Sequence, residues 1–270
     1  MIGAIVYKLR AENSTQLPFI NGRLMHAAFF KILHEVLPEV ENFIHDKMNI
    51  KPFTVSFLNP AKNISNFEGR WEVRRGDRFF WRVTALNEEI LQAAMAVPVG
   101  YQIRAGNLVL STEKIIADEK IRDDSGVISV EDFILSAKNF SPPDEIEFKF
   151  LTPVSFRIDD FDAPYPRAEL IFASLADKWT QTGMPAAADK KIIREIAAKI
   201  RLTEWEGRSR KFYFAHDRGT LGFWGKFRYN LTGLDFDLRK VFLLLARFGE
   251  FSGVGRLTAQ GFGQTRINFA

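Results

Sequence analysis

None of the 270 residues is a cysteine. That excludes disulfides, thiolate nucleophiles and cysteine-based zinc sites, and it fits a reducing compartment. Histidine is scarce as well, with four scattered residues and no metal-ligand spacing among them. No stretch approaches the roughly 18 uninterrupted apolar residues of a membrane span. The opening Met1-Ile-Gly-Ala-Ile-Val-Tyr-Lys-Leu-Arg10 alternates like a strand and lacks the basic start and apolar run of a secretion signal. The expectation is a cytoplasmic protein with no membrane contact, no metal and no cofactor. Tyrosine and tryptophan number five each against 26 phenylalanines. Most of those rings must be core, and a surplus could stack on bases.

What is present bounds the fold. A 46% hydrophobic content can fill a sizeable core, and 270 residues suggest one large or two medium domains. The net charge of +4 permits a polyanionic partner without requiring one.

Ile2 to Leu9 reads as a first strand. Asn21 is a reasonable N-cap for a helix from Gly22 to Leu37, whose Met25, Ala28, Phe29, Ile32 and Val36 form one apolar stripe. On the same wheel Arg23, His26 and Phe30 flank that stripe, and His34 points nearly opposite. Glu39 to Asp46 suggests a second short helix, and Lys51 to Leu58 a strand. Arg70 to Val73 and Arg78 to Thr84 are strands joined by Arg74-Arg75-Gly76-Asp77, a hairpin-turn signal. Asn87 to Ala96 is a helix and Tyr101 to Leu110 a strand. The order strand, helix, strand, strand, helix, strand is that of the split βαβ unit.

Ser141-Pro142-Pro143-Asp144-Glu145 breaks the pattern and marks a domain boundary. The order then restarts, with a strand at Glu147 to Ser155 and a helix at Glu169 to Thr182. A hairpin begins at Arg210 to Phe214 and is completed by Gly222 to Leu231. A helix at Asp237 to Phe248 and a strand at Gln264 to Phe269 close the chain. The economical reading is an α+β chain of two tandem βαββαβ domains, residues 1–140 and 145–270.

Between the last helix and the last strand lies Gly253-Val-Gly-Arg-Leu-Thr-Ala-Gln-Gly-Phe-Gly-Gln-Thr265. Two Gly-x-Gly pairs, Gly253/Gly255 and Gly261/Gly263, bracket Arg256 and Thr258. Such a loop can present successive amides to a phosphate, with Arg256 adding a fixed charged fork. It can equally be a turn that reverses the chain. A dinucleotide-binding fingerprint does not fit, because that loop follows a strand, whereas this one follows a helix.

Leu17-Pro18, Gly22-Arg23, His26-Ala27, Phe43-Ile44-His45, Pro52-Phe53-Thr54-Val55-Ser56 and the glycine-rich loop together resemble the CRISPR repeat-processing endoribonucleases of the RAMP superfamily. Leu151-Thr-Pro-Val-Ser-Phe-Arg157 and Phe172-Ala-Ser-Leu-Ala-Asp-Lys-Trp179 extend the resemblance over nearly the whole chain. It implies two ferredoxin-like (RRM-like) domains that cut repeat RNA without metal. The ribose 2′-hydroxyl attacks the adjacent phosphate and leaves a 2′,3′-cyclic phosphate and a 5′-hydroxyl. It also implies partners: repeat RNA or crRNA, and by extension an effector complex or a second copy of the chain.

Histidine suits the proton transfers and lysine or arginine the developing charge. The resemblance points to His45 first, with Lys51 six residues on, and to His26 with Arg23 one turn before it. Taken alone, His45 could be a helix-end residue stabilised by the helix dipole. Where relatives often carry a tyrosine this helix has Phe30, which cannot donate a hydrogen bond. His216 sits at an expected hairpin tip and has no assigned role. For RNA binding the candidates are Gly253, Gly255, Arg256, Thr258, Gly261 and Gly263, with Arg266 assisting. Arg208, Arg210 and Lys211, which run into Phe212-Tyr213-Phe214, join them as a basic track beside aromatics. A non-catalytic RNA-binding subunit remains the alternative reading.

Overall fold

The computed structural model describes residues 1–39, 50–215 and 218–269. The chain packs as two units, Met1–Ile128 with Ala259–Gly261, and Ser129–Thr258 with Phe262–Ala270.

In the first unit the strand Ile2–Ala11 is central and almost wholly buried. The sheet order is Phe53–Val55, Arg78–Ala85, Ile2–Ala11, Leu108–Ile116, Gln102–Ala105, all antiparallel. Counting one strand per βαββαβ position, this is the order 2-3-1-4 of a ferredoxin-like fold, with the edge hairpin Gln102–Ile116 serving as position four. The helices Gly22–Val36 and Glu88–Met95 cover it. Met25, Phe29, Ile32 and Leu33 are fully buried against the sheet, while Val36, expected on the same stripe, is 44% exposed where the helix runs past it. Tyr7 and Trp81 face each other across the two central strands and stack at 5.2 Å. Such cross-strand pairs of large rings stabilise a sheet beyond their buried area.

Three local expectations are corrected. Asn21 does precede the helix, but its side chain makes no cap bond: Oδ1 accepts from Leu58 N at 2.9 Å, tying the helix start to the strand region that follows. The turn at Arg74–Asp77 forms, yet it does not join a hairpin. Arg70–Val73 pairs with Thr15–Pro18 in a separate small sheet, and Arg78–Ala85 pairs with Ile2–Ala11. The turn is stapled to the end of the first strand, because Gly76 N donates to Ala11 O and Ala11 N to Asp77 O, both at 2.8 Å. The single strand expected at Tyr101 to Leu110 is itself a hairpin, reversed at Gly106 with φ 63. The helix expected over Glu39 to Asp46 falls largely outside the described residues.

The second unit repeats the topology. Its sheet order is Arg201–Ala215, Arg218–Asn230, Glu145–Val154, Thr265–Phe269, again 2-3-1-4. The helices Ala168–Gln181 and Phe236–Ser252 pack on it through interlocking rings, including Phe172 with Phe242 at 4.7 Å and Phe148 with Phe172 at 5.7 Å. The phenylalanine surplus is thus consumed largely by this core. Two helices, Lys190–Ala197 and Val130–Lys138, are not expected from the sequence pattern. The latter packs on the Phe236–Ser252 helix, where Arg247 Nη1 donates to Ser136 Oγ at 2.8 Å. The division by packing therefore falls between Ile128 and Ser129, ahead of the proline-rich break. Among the described residues no helix is long and apolar enough to cross a membrane.

The Tyr7 hydroxyl donates to Ala94 O at 2.5 Å inside the core of the first unit. Tyr7→Phe would leave that carbonyl buried without its partner, and a loss of about 1–3 kcal/mol in urea denaturation is expected. A loss under about 0.5 kcal/mol would mean that the carbonyl finds another donor.

Candidate functional site

The helix Gly22–Val36 begins in close contact with backbone. A Cβ on Gly22 would lie 1.8 Å from Gln260 O, so only glycine allows the helix start to meet this segment. Arg23 and His26 are three residues apart and therefore neighbours on one helix face. His26 Nδ1 lies 2.8 Å from Ala259 O, and Arg23 Nε donates to Gln260 Oε1 at 3.3 Å. A carbonyl only accepts, so His26 Nδ1 carries the proton and Nε2 of the neutral ring is left with a lone pair. The half-buried ring is braced by the edge of Phe30 at 4.7 Å and lies near-parallel to Phe53 at 6.0 Å. Phe30 supplies a wall here, where a tyrosine would add a hydroxyl. Opposite, the Cβ missing from Gly261 would fall 2.5 Å from the Phe57 ring.

Lys51 is half-buried just before the strand Phe53–Val55. His34 is exposed, as its place on the wheel requires. His45 and His216 lie outside the described residues. The candidates Arg23 and His26 are brought against the segment Ala259–Gly261, whose Gly261 is also a candidate, while Ala259 and Gln260 are contacts that the sequence did not single out.

In the second unit the glycine-rich loop is folded by its own amides. Gly253 N donates to Gly249 O, Val254 N to Gly263 O, Arg256 N to Ser155 O and Gly263 N to Pro153 O, all at 2.8–3.0 Å. Gly255 N donates to Ser174 Oγ at 3.0 Å and Gln264 N to Thr152 Oγ1 at 2.9 Å. The amides expected to cradle a phosphate at 253, 255 and 263 are therefore already engaged with protein acceptors. The glycines serve that folding. A Cβ on Gly263 would lie 2.1 Å from Val254 O, and one on Gly255 2.5 Å from Ser155 O. Leu257 is carried at φ 62, a costly conformation for a branched side chain, at the entrance to the single 3-10 turn Thr258–Gln260.

Arg256 is likewise held inward. Its Nε donates to Ser155 Oγ at 3.1 Å, and Nη2 pairs with Asp162. Thr258 Oγ1 accepts from the buried Lys178 Nζ at 3.3 Å.

Arg208, Arg210 and Lys211 lie exposed on the long hairpin of Arg201–Ala215 and Arg218–Asn230. Arg208 stacks over Trp224 at 4.8 Å, and Lys211 Nζ lies 5.5 Å from the Tyr213 ring. The sheet register adds Lys149 and Lys226, which the sequence did not single out, beside Arg266, which it did. Lys226 faces Lys149 and Lys149 faces Arg266, so three cations stand abreast on adjacent strands, with Glu206 next in the row. Like charges opposite one another cost stability unless an anion neutralises them. Lys149, Glu206, Arg208, Trp224 and Lys226 line a groove of about 550 Å³. These positions are far apart in sequence, and only strand pairing assembles the row. Among the described residues no three histidine, aspartate or glutamate side chains cluster as a metal-holding group.

Residues 148–265 match the family described as CRISPR-associated endoribonuclease Cas6, and residues 1–102 match the CRISPR Cas6 N-terminal domain. Among curated proteins, the Cas6 endoribonucleases of two Mycobacterium tuberculosis strains are 25% identical over 195 residues. The match takes in 69% of this chain and 58% of each of theirs, so the chain spans little more than half the length of these relatives. Among solved structures, a Cas6 product complex superposes with a TM-score of 0.78 at 23% identity, covering 99% of this chain and 100% of that one. Thermus thermophilus Cas6 gives 0.71 at 22%, covering 99% and 98%, and a Cas6-related protein from Pyrococcus furiosus gives 0.62 at 16%, covering 99% of both. These likenesses establish the shared fold. Two successive family matches, in the same order along both halves, place the chain in the CRISPR-associated endoribonuclease Cas6 family.

Proposed function

We propose that the protein is a cytoplasmic endoribonuclease that cuts CRISPR repeat RNA without a metal ion. The observation that carries the reading is the bond between His26 Nδ1 and Ala259 O, which fixes the imidazole tautomer beside Arg23. In the reaction the ribose 2′-oxygen forms a bond to phosphorus as the bond to the 5′-oxygen breaks. The 2′-hydroxyl proton must leave and the departing 5′-oxygen must receive one. The Nε2 lone pair of His26 suits the first transfer. His45 is assigned the second, and Arg23 and Lys51 the charge that develops on the phosphoryl oxygens. Phe30 and Phe53 shield the ring from water on two sides.

RNA is held, in this reading, by the row Lys149, Lys226 and Arg266 and by Arg208, Arg210 and Lys211 on the hairpin. Phosphate contacts of this kind set affinity and register, while sequence or hairpin shape is read elsewhere. Within the loop the role of Gly253, Gly255, Arg256 and Gly263 is to build the support, and the RNA-facing part narrows to Thr258–Gly261. A similar solved structure, a RAMP protein binding different RNA substrates, supports an RNA ligand for this fold. The rival reading, a non-catalytic RNA-binding subunit of an effector complex, predicts the same basic row without cleavage.

Purified protein incubated with its own repeat RNA in excess EDTA is expected to cut at one position and leave a 2′,3′-cyclic phosphate. His26→Ala should slow single-turnover cleavage by about 10²–10⁴-fold, the usual worth of a general acid or base. A strict magnesium requirement, or an undiminished rate in the variant, would sink the mechanism. Separately, Lys149→Ala with Lys226→Ala should weaken RNA binding. It should also flatten the slope of log K against log salt by about 1–2, since two phosphate contacts are lost. An unchanged slope would place the RNA off this row.

A further inference from the structure

Lys178 stands in the last turn of the helix Ala168–Gln181 with 4% of its surface exposed. A lysine sealed from water is costly unless its three ammonium protons find acceptors. Nζ donates to Gly253 O at 2.8 Å, Ser252 O at 3.0 Å and Thr258 Oγ1 at 3.3 Å. Ser252 is the last residue of the helix Phe236–Ser252 and Gly253 its C-cap, where carbonyls lack helical N–H partners and the helix dipole is negative. Thr258 opens the 3-10 turn on the other side of the loop. One side chain therefore ties together both ends of the segment Ser252–Thr258. Ser174, one helical turn before Lys178 and on the same face, accepts from Gly255 N in the middle of that segment.

We propose that Lys178 is a positioning residue for RNA cleavage, holding the stem of the glycine-rich loop so that Ala259 leaves it in the place where its carbonyl meets His26. The inference rests on the cleavage reading given above. Its physical basis is the contrast between space and direction. A neutral side chain of the same length would fill this site without desolvating a charge. Burial pulls the Lys178 ammonium down to about 7 from its ordinary 10.5, a measure of that cost. What lysine provides in return is three directed bonds that converge from two ends of a loop. Because Thr258 is bonded directly to Ala259, a loosened stem displaces the acceptor that sets the His26 tautomer.

The test compares Lys178→Met, which keeps the length and removes the donors, with Lys178→Gln, which keeps two donors and removes the charge. Both are assayed on the full chain with its own repeat RNA, at a temperature where circular dichroism shows each to be folded. The methionine variant is expected to lose about tenfold or more in single-turnover rate at saturating RNA, in line with the cost of small misplacements at a reacting centre. Its RNA dissociation constant should change less than about threefold, and the glutamine variant should recover part of the rate. A variant that melts earlier but cuts at the wild-type rate overturns the inference, because Lys178 would then be structural only. If the methionine variant does not fold, the glutamine variant is judged alone by the same criterion: a rate loss with little change in affinity upholds the inference, and a wild-type rate overturns it. If the wild-type protein leaves repeat RNA intact, the cleavage reading fails and this inference falls with it. That result differs from one in which wild type and variants cut alike.

Discussion

A glycine-rich loop can serve as part of a site only after its own backbone is satisfied. Here Val254 bonds to Gly263 across the loop, while Arg256 and Gly263 are bonded to Ser155 and Pro153 at the end of the strand Glu145–Val154. The side chains of Thr152 and Ser174 take two more amides. Burying these donors without partners would cost about 1–3 kcal/mol each, so the arrangement is a condition of the fold before it is a feature of function. Lys178 and Arg256 complete the clamp from two sides. The order of causes is thus loop closure first and ligand contact second, with Ala259 and Gln260 the residues that go on to meet His26 and Arg23.

That ordering explains which sequence signals carried through to the structure. The periodicity of Met25, Phe29 and Ile32 located the first helix because one apolar stripe dictates one buried face. The order of elements located both ferredoxin-like sheets, since short connections leave few ways to pair strands. The turn Arg74–Asp77 misled because turn chemistry fixes a local reversal and says nothing about which strand pairs beyond it. The first strand, long and buried on both faces, took Arg78–Ala85 as its neighbour and left Arg70–Val73 to another sheet. The helices Lys190–Ala197 and Val130–Lys138 were missed for a different reason. Each lies outside the βαββαβ repeat, packed on a helix of the unit.

The candidate site divides the same way. The resemblance points to His26 and Arg23, helical spacing puts them on one flank, and their contacts with Ala259 and Gln260 need a glycine at the helix start. Arg256 was plausible as a phosphate ligand from its neighbours in sequence, but Asp162, more than ninety residues away in the chain, claims its guanidinium. The converse holds for Lys149 and Lys226. Nothing in their local sequence marks them, yet antiparallel register sets them side by side with Arg266. Charge counted along a chain and charge gathered on a sheet are different quantities. Only the second produces a field that can hold a polyanion.

The chemistry is most constrained at the His26 ring. A neutral imidazole that donates from Nδ1 to a carbonyl is held in the tautomer whose Nε2 carries the lone pair. A carboxylate in that place would raise the ring's affinity for a proton; a backbone carbonyl mainly orients it. A ring oriented in this way presents one defined nitrogen, Nε2, for the proton transfer proposed above. The carbonyl that provides this belongs to Ala259, so the orientation of the His26 ring depends on where the loop leaves that one backbone oxygen. The folding of the glycine-rich segment and the reactivity assigned to the first helix are, on this argument, one property.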